Sequence, residues 1–172
     1  MNIEIRPETG EDYSKITEVN DLAFNQPNEG ILIEKLRKTL EFISNLSLVA
    51  EVDGEVVGHI LFYPIIINAR NVTHKSLALA PMAVLPDYQN KGIGSHLVKA
   101  GFKSAVKLGF QSVIVVGHPN YYPRFGFEQA SKFGITAPFD VPDDAFFAIE
   151  LVTGGLKDVS GMVVYPSEFS DV

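Results

Sequence analysis

Cysteine is absent from all 172 residues, which removes disulfides, thiolate metal sites and cysteine nucleophiles in one step. Any covalent mechanism would need another residue. The four histidines, His59, His74, His96 and His118, show no ligand spacing of the His-Glu-x-x-His kind, so no metal is expected. No run of 18 apolar residues occurs, and Met1-Asn2-Ile3-Glu4-Ile5-Arg6 lacks the basic head and apolar stretch of a signal peptide. A soluble protein of the cytoplasm, with no membrane partner, is the expectation. Basic residues are few, and the formal charge is −7. The clustered Lys and Arg that grip a nucleic acid backbone are missing, so no nucleic acid partner is expected. An acidic balance is compatible with a cationic substrate such as an amine.

What the chain does have is a hydrophobic content of 46%, enough for the core of one domain at this length. A single domain over 1–165 is predicted, with 166–172 as a loose tail. Residues 2–6 alternate as a half-buried strand, and Thr9 followed by Asp12 signals a helix start. Ile16, Val19, Asn20, Ala23 and Phe24 predict that helix. Gln26-Pro27-Asn28 interrupts it before a second run carrying Ile31, Leu32, Leu36 and Leu40. Two strands, 46–52 and 55–67, flank Asp53-Gly54, the strongest short hairpin signal. Asn68 to Lys75 reads as a polar connection, and the continuous apolar run Leu77 to Leu85 as a central strand. Pro81 inside that strand removes a ladder donor, so pairing should lapse near it. Ile93, Leu97, Val98, Phe102, Ala105 and Leu108 predict a helix from Gly92 that stops at Gly109, followed by a buried strand 112–116. Strand, helix and strand form a unit with parallel strands by the usual crossover rule. The aromatic stretch from His118 to Phe127 reads as a turn or a very short helix. Further strands follow, clearest at 145–151 and 162–165.

The functional signal lies in Gln89-Asn90-Lys91-Gly92-Ile93-Gly94-Ser95. Amides in the first turn of a helix lack internal partners, and the helix dipole adds positive potential there. Gly92 and Gly94 remove side chains that would keep an anion from the backbone, while Lys91 and Gln89 can add donors at the rim. The segment lacks the Gly-Lys-Ser/Thr ending that holds Mg2+ in a Walker loop. Nor is it a Gly-x-Gly-x-x-Gly run closing a first strand with an acid ~20 residues later. Nucleotide triphosphatases and dinucleotide dehydrogenases are disfavoured.

Gln-x-x-Gly-x-Gly between a strand and a helix, then a strand, then Tyr122-x-x-x-Gly126-Phe127, resembles the GNAT superfamily of N-acetyltransferases. The likeness spans about 2–130. Tyr121-Tyr122-Pro123-Arg124-Phe125-Gly126-Phe127, with the segment from Phe133 to Phe169, is similar to the YhbS-like group. The resemblance implies an α/β (α+β) fold with a mixed, mostly antiparallel twisted sheet flanked by helices. One parallel strand pair is splayed to admit CoA, and 131–165 forms a strand extension. It implies acetyl-CoA as co-substrate, with no metal. Gln89, Asn90, Lys91, Gly92, Ile93, Gly94 and Ser95 would wrap its pyrophosphate with backbone amides, chiefly those of residues 90–95, and Met82, Ala83 and Val84 would pair with the pantetheine arm. Tyr122 would be the acid for the leaving thiolate, and Asn120 a hydrogen-bond partner of the cofactor.

Several relatives use an acid on the central strand as base, whereas Leu79, Ala80 and Pro81 supply none here. His118 is the candidate base instead, since histidine changes charge near neutral pH. Glu29 is a weaker candidate, and His59, inside a strand, reads as a packed histidine. The resemblance implies acetyl transfer to a primary amine of a small molecule or peptide, the lack of cysteine makes direct transfer in a ternary complex the default, and a homodimer is left open by the superfamily's habits. Two other readings stand beside it at this stage: a non-catalytic acyl-CoA-binding regulatory module, and a structural domain with an accidental loop.

Overall fold

The computed structural model describes residues 1–171. They fall into two compact units, one comprising 1–63, 80–104 and 167–171 and the other 64–79 and 105–166.

The first unit begins with β1 (Ile3–Pro7), followed by helices α1 (Tyr13–Phe24) and α2 (Asn28–Arg37). At the expected helix start Thr9 and Asp12 form a capping box: the Asp12 carboxylate accepts from the Thr9 amide at 2.7 Å. Asn25, at φ 54°, ends α1 in the left-handed conformation that a helix C-terminus favours. Ile16 and Val19 of α1 and Leu32, Ile33 and Leu36 of α2 are buried. Leu40 is 99% exposed, contrary to the helical pattern expected of it. The helix stops at Arg37 because Thr39 satisfies the Leu36 carbonyl with both its amide (3.0 Å) and its hydroxyl (2.7 Å), so Leu40 never returns to the buried face.

β2 (Ser47–Val52) and β3 (Glu55–Ala69) form the predicted hairpin. Asp53 and Gly54 both have positive φ, 53° and 80°, as a two-residue primed turn requires. β1 pairs antiparallel with β2, from Ile3↔Val52 to Pro7↔Leu48. β4 (Val72–Val84) begins five residues before the expected start: 72–75, read as a polar connection, is strand. Arg70 at φ 52° and Asn71 make the turn from β3, and the polar side chains of this stretch are mostly exposed, which a half-solvated hairpin tolerates.

α3 (Ile93–Lys107) closes this part of the fold. Its Gly101 contradicts helix propensity, since glycine costs about 1 kcal/mol against alanine in a helix interior. A Cβ there would lie 2.0 Å from the ring of the fully buried Phe62, so close packing outweighs the propensity. The segment 166–172 was expected to be a loose tail; instead Ser167–Asp171 form a short 3-10 helix, and the Phe169 ring meets Tyr63 edge-on at 5.9 Å. Packing that half-buried aromatic against Tyr63 contributes ordering energy that the sequence pattern did not suggest.

In the second unit, the parallel pairing of β4 with β5 (Ser112–Val116) is Leu77↔Val113 and Ala78↔Ile114. It stops short of Pro81, where pairing was expected to lapse. β6 (Glu128–Gln129), β7 (Ile135–Thr136), β8 (Phe146–Glu150) and β9 (Gly161–Val164) complete the strands. β8 runs antiparallel to β5, and β9 pairs with β3 and, in parallel, with β7. Ile65, Ile67, Ile114, Phe146, Leu156 and Val163 anchor the core of this unit. The strand order is β1-β2-β3-β4-β5-β8-β6, a mixed and mostly antiparallel sheet of the kind the resemblance implies. Among the described residues no helix is long and apolar enough to cross a membrane.

Candidate functional site

The start of α3 is built as the sequence pattern anticipates. The first helical hydrogen bond runs from the His96 amide to the Gly92 carbonyl at 3.1 Å, so the amides of Ile93, Gly94 and Ser95 have no acceptor within the helix. Asn90 at φ 62° and Gly92 at φ 84° turn the backbone sharply before the helix. A Cβ on Gly92 would meet nothing closer than His96 Nδ1 at 4.0 Å, so the space over the loop is open. Ile93 is 1% exposed, and it packs with Leu97 on Gly58 of β3, where an added Cβ would lie 3.2 Å from each side chain. That contact seats the helix start on the sheet. An open turn with three free amides at a positive helix end fits a pyrophosphate.

Three side chains brace this loop. Gln89 Nε2 donates to the Val84 carbonyl at 3.0 Å, while its backbone amide donates to the Pro86 carbonyl. The Gln89 side chain therefore ties the loop to the end of β4. Lys91 Nζ sits 5.7 Å from the Tyr88 ring centroid. His96 Nδ1 lies 2.8 Å from the Gly92 carbonyl oxygen, where the donor must be the ring N–H because a carbonyl only accepts. The sequence offered no sign of this brace, which depends on an i,i+4 distance fixed only once the helix forms. Met82, Ala83 and Val84 occupy the end of β4 in the same unit.

His118, Asn120 and Tyr122 belong to the other unit. They sit on a turn that leaves β5, held where the His118 carbonyl accepts from the Tyr121 amide at 3.1 Å and the Tyr122 amide at 3.4 Å. Tyr122–Phe125 form a short 3-10 helix that Gly126 ends at φ 101°. The turn is braced by Arg124, which donates to the carbonyls of Tyr121 (3.0 Å) and Asn120 (3.2 Å) and stacks over the Tyr121 ring at 4.5 Å. Sequence reasoning passed over Arg124. The Tyr122 ring meets Tyr121 and Phe127 edge-on at 5.1 and 5.7 Å. Burial, with Tyr121 beside it, pushes the Tyr122 phenol up to about 12, so it stays protonated through the neutral and mildly alkaline range. The His118 and Asn120 side chains are exposed.

A second polar cluster has the composition of a hydrolytic triad, but its wiring is different. Ser47 Oγ donates to Glu8 Oε1 and lies 2.9 Å from His59 Nε2. With its one proton on Glu8, Ser47 accepts from His59 Nε2–H, the reverse of an activated nucleophile. Arg37 grips Glu8 through Nε (2.7 Å) and Nη2 (3.0 Å). Ser47 and His59 are fully buried, so no substrate reaches them, and His59 is the packed histidine expected. Its Nδ1 has no hydrogen-bond partner. Burial first, and the Arg37 charge second, push the ring down to about 3.

In an unfolded chain histidine titrates near ~6.5, so below that pH the unfolded state binds a proton the fold refuses. Stability should therefore fall as pH drops from about 6.5 toward 3. Urea unfolding is expected to show a loss of ~2–3 kcal/mol between pH 6.5 and 4.5, largely abolished in His59→Gln. The Asp12 carboxylate, held down to about 2 first by its hydrogen bond from Arg6, acts at lower pH. An equal slope in the variant would refute the assignment to His59.

Glu29 lies in the first turn of α2, is buried, and accepts from Gln26 Nε2 at 2.9 Å on both carboxylate oxygens. Its position matches a helix first-turn acid favoured by the dipole.

The family profile described as the acetyltransferase (GNAT) domain matches residues 4–130. The chain is 38% identical over 134 residues to a protein of Escherichia coli K12 described as uncharacterized N-acetyltransferase YjhQ, covering 77% of this chain and 74% of that one. It is 30% identical over 149 residues to the uncharacterized N-acetyltransferase YhbS of the same strain, with 86% and 87% covered. The crystal structure of E. coli YhbS in complex with CoA matches with a TM-score of 0.91 at 29% identity, over 99% of this chain and 93% of that one. A GNAT family acetyltransferase from Brucella melitensis, in complex with acetyl-CoA, matches with a TM-score of 0.79 at 30% identity over 98% of both chains.

Proposed function

The chain belongs to the GNAT acetyltransferase family and is a YhbS-like N-acetyltransferase, and on that premise we propose that it moves the acetyl group of acetyl-CoA directly to a primary amine within a ternary complex in the cytoplasm. The observation that carries this reading is the open turn before α3, with the unpartnered amides of Ile93, Gly94 and Ser95. Residues 90–95 hold the pyrophosphate, and the backbone of Met82, Ala83 and Val84 takes the pantetheine arm as an added strand. Asn120 hydrogen-bonds the cofactor.

In the reaction the amine nitrogen attacks the thioester carbon, the C–S bond breaks, and one amine proton ends on sulfur. Backbone N–H groups near Met82 to Val84 stabilise the oxyanion. His118 removes the proton that an amine carries at neutral pH. Tyr122 donates to the departing sulfur. With no cysteine in the chain, an acyl-thiol enzyme has no site. The acceptor is a small-molecule or peptide amine.

Calorimetric titration with CoA, paired with initial-rate kinetics, tests the reading. Micromolar cofactor binding and intersecting reciprocal lines are expected. Parallel lines would contradict direct transfer, and binding without amine-dependent thiol release would leave a non-catalytic acyl-CoA-binding module.

A further inference from the structure

Gly117 is the first residue beyond β5 and stands five positions before Tyr122. Its amide donates to the Ala145 carbonyl at 2.9 Å, next to the start of β8, so the backbone at this point is pinned. The Tyr122 ring lies directly over it. A Cβ built on Gly117 would fall 2.1 Å from Cε2 of that ring, 2.6 Å from Cδ2 and 3.2 Å from Cζ. Non-bonded carbons rest at about 3.5–4.0 Å, so no alanine fits beneath the ring as it stands. The obstacle is not the main chain, because Gly117 lacks the positive φ that marks the strained glycines of this fold. Nor can the ring give way cheaply. It is wedged edge-on between Tyr121 and Phe127, and its own backbone is tied to the His118 carbonyl.

We infer that Gly117 is a positioning residue for acetyl transfer, whose missing side chain seats the Tyr122 ring and so fixes the place of its hydroxyl. The inference rests on Tyr122 donating to the leaving thiolate. Glycine is needed here for the volume it leaves empty rather than for conformational freedom, so even the smallest side chain displaces the ring. A displaced hydroxyl meets the sulfur poorly at the moment of bond breaking, while ground-state binding of acetyl-CoA is untouched. The penalty therefore falls on kcat and not on KM.

The test is a double-mutant cycle on the intact protein with Gly117→Ala, Tyr122→Ala and the pair. Gly117→Ala is expected to lower kcat by at least thirtyfold, with the CoA dissociation constant within threefold of wild type. Adding Gly117→Ala to Tyr122→Ala should cost less than a further twofold, since removing the ring frees the space. Ultraviolet titration of the tyrosines gives a readout independent of activity. In wild type the Tyr122 phenol titrates late, near 12; in Gly117→Ala one more tyrosine should titrate near ~10, and this extra group should vanish in Gly117→Ala/Tyr122→Phe. If Gly117→Ala fails to fold alone but folds beside Tyr122→Ala, the clash is confirmed. Wild-type kcat with an unchanged tyrosine titration in Gly117→Ala would overturn the inference, as would an equal kcat loss in the Tyr122→Ala background. The reading of Tyr122 fails separately, through full activity of Tyr122→Phe, and the ultraviolet titration still decides whether Gly117 seats the ring.

Discussion

Tyr122→Phe should lower kcat for acetyl transfer on the order of 10²-fold while leaving the CoA dissociation constant nearly unchanged, since loss of a positioned proton donor typically costs that much. Phenylalanine keeps the ring and with it the edge-on contacts to Tyr121 and Phe127, so the fold does not register the change. Only the hydroxyl goes. On the proposed role, its high pKa, about 12, limits how the phenol can act. A thiol titrates near ~8.5, so complete proton transfer from this phenol to a thiolate would be uphill by on the order of 5 kcal/mol. Hydrogen-bond donation to the developing negative charge carries no such cost, and in the proposed reaction the proton that finally reaches sulfur comes from the amine. The pH profile should accordingly show no fall in rate from Tyr122 below about pH 11. Burst and steady-state measurements of thiol release separate the chemical step from product release. An unchanged kcat in Tyr122→Phe would remove the residue from the reaction.

Gly92→Val should raise both the KM for acetyl-CoA and the CoA dissociation constant by about 10–100-fold, with the thermal midpoint little changed. Gly92 sits at φ 84°, and an added Cβ meets nothing closer than His96 Nδ1 at 4.0 Å. Its cost is conformational: a β-branched residue at positive φ is strained by about 1–3 kcal/mol, and it escapes by turning the loop away. At about 1.4 kcal/mol per tenfold, that strain, with an isopropyl group where the phosphates approach, gives the range stated. Gly92→Ala should show a smaller effect of the same kind. Fluorescence or calorimetric titration with CoA measures it, and wild-type affinity in Gly92→Val would show that the cofactor's phosphates lie elsewhere.

The elements that local chemistry determines were the ones legible in the chain. Asp53-Gly54 can make its turn because both residues tolerate positive φ, and Gly109 ends α3 for the same reason at φ 90°. Gln89 to Ser95 was readable because the free amides of a helix start need no side chain and no distant partner. Features that depend on partners far along the chain were hidden. Residues 72–75 are polar enough to pass for a connection, yet they belong to β4 once the turn at Arg70 is made. Leu40 fits a helical period on paper, but Thr39 caps α2 before it. Phe169 looks like tail until Tyr63, more than a hundred residues earlier, is placed beside it. The Glu8–Arg37–Ser47–His59 cluster joins four separated segments, and no spacing rule links them. At the loop before α3 and, separately, at the turn after β5, the residue types were visible while the supports were not. Gln89 binding Val84, His96 binding Gly92, and the fit of Tyr122 over Gly117 all depend on distances that exist only in the folded chain.

Incubating the protein with acetyl-CoA and a panel of primary amines, and following free thiol together with the mass of each amine, tests the central claim most directly. The account predicts that at least one amine gains a single acetyl group, with one thiol released per transfer, and that Gly92→Val slows this at subsaturating acetyl-CoA while Tyr122→Phe slows it at saturation. Tight CoA binding with no amine acetylated and no thiol released would contradict it.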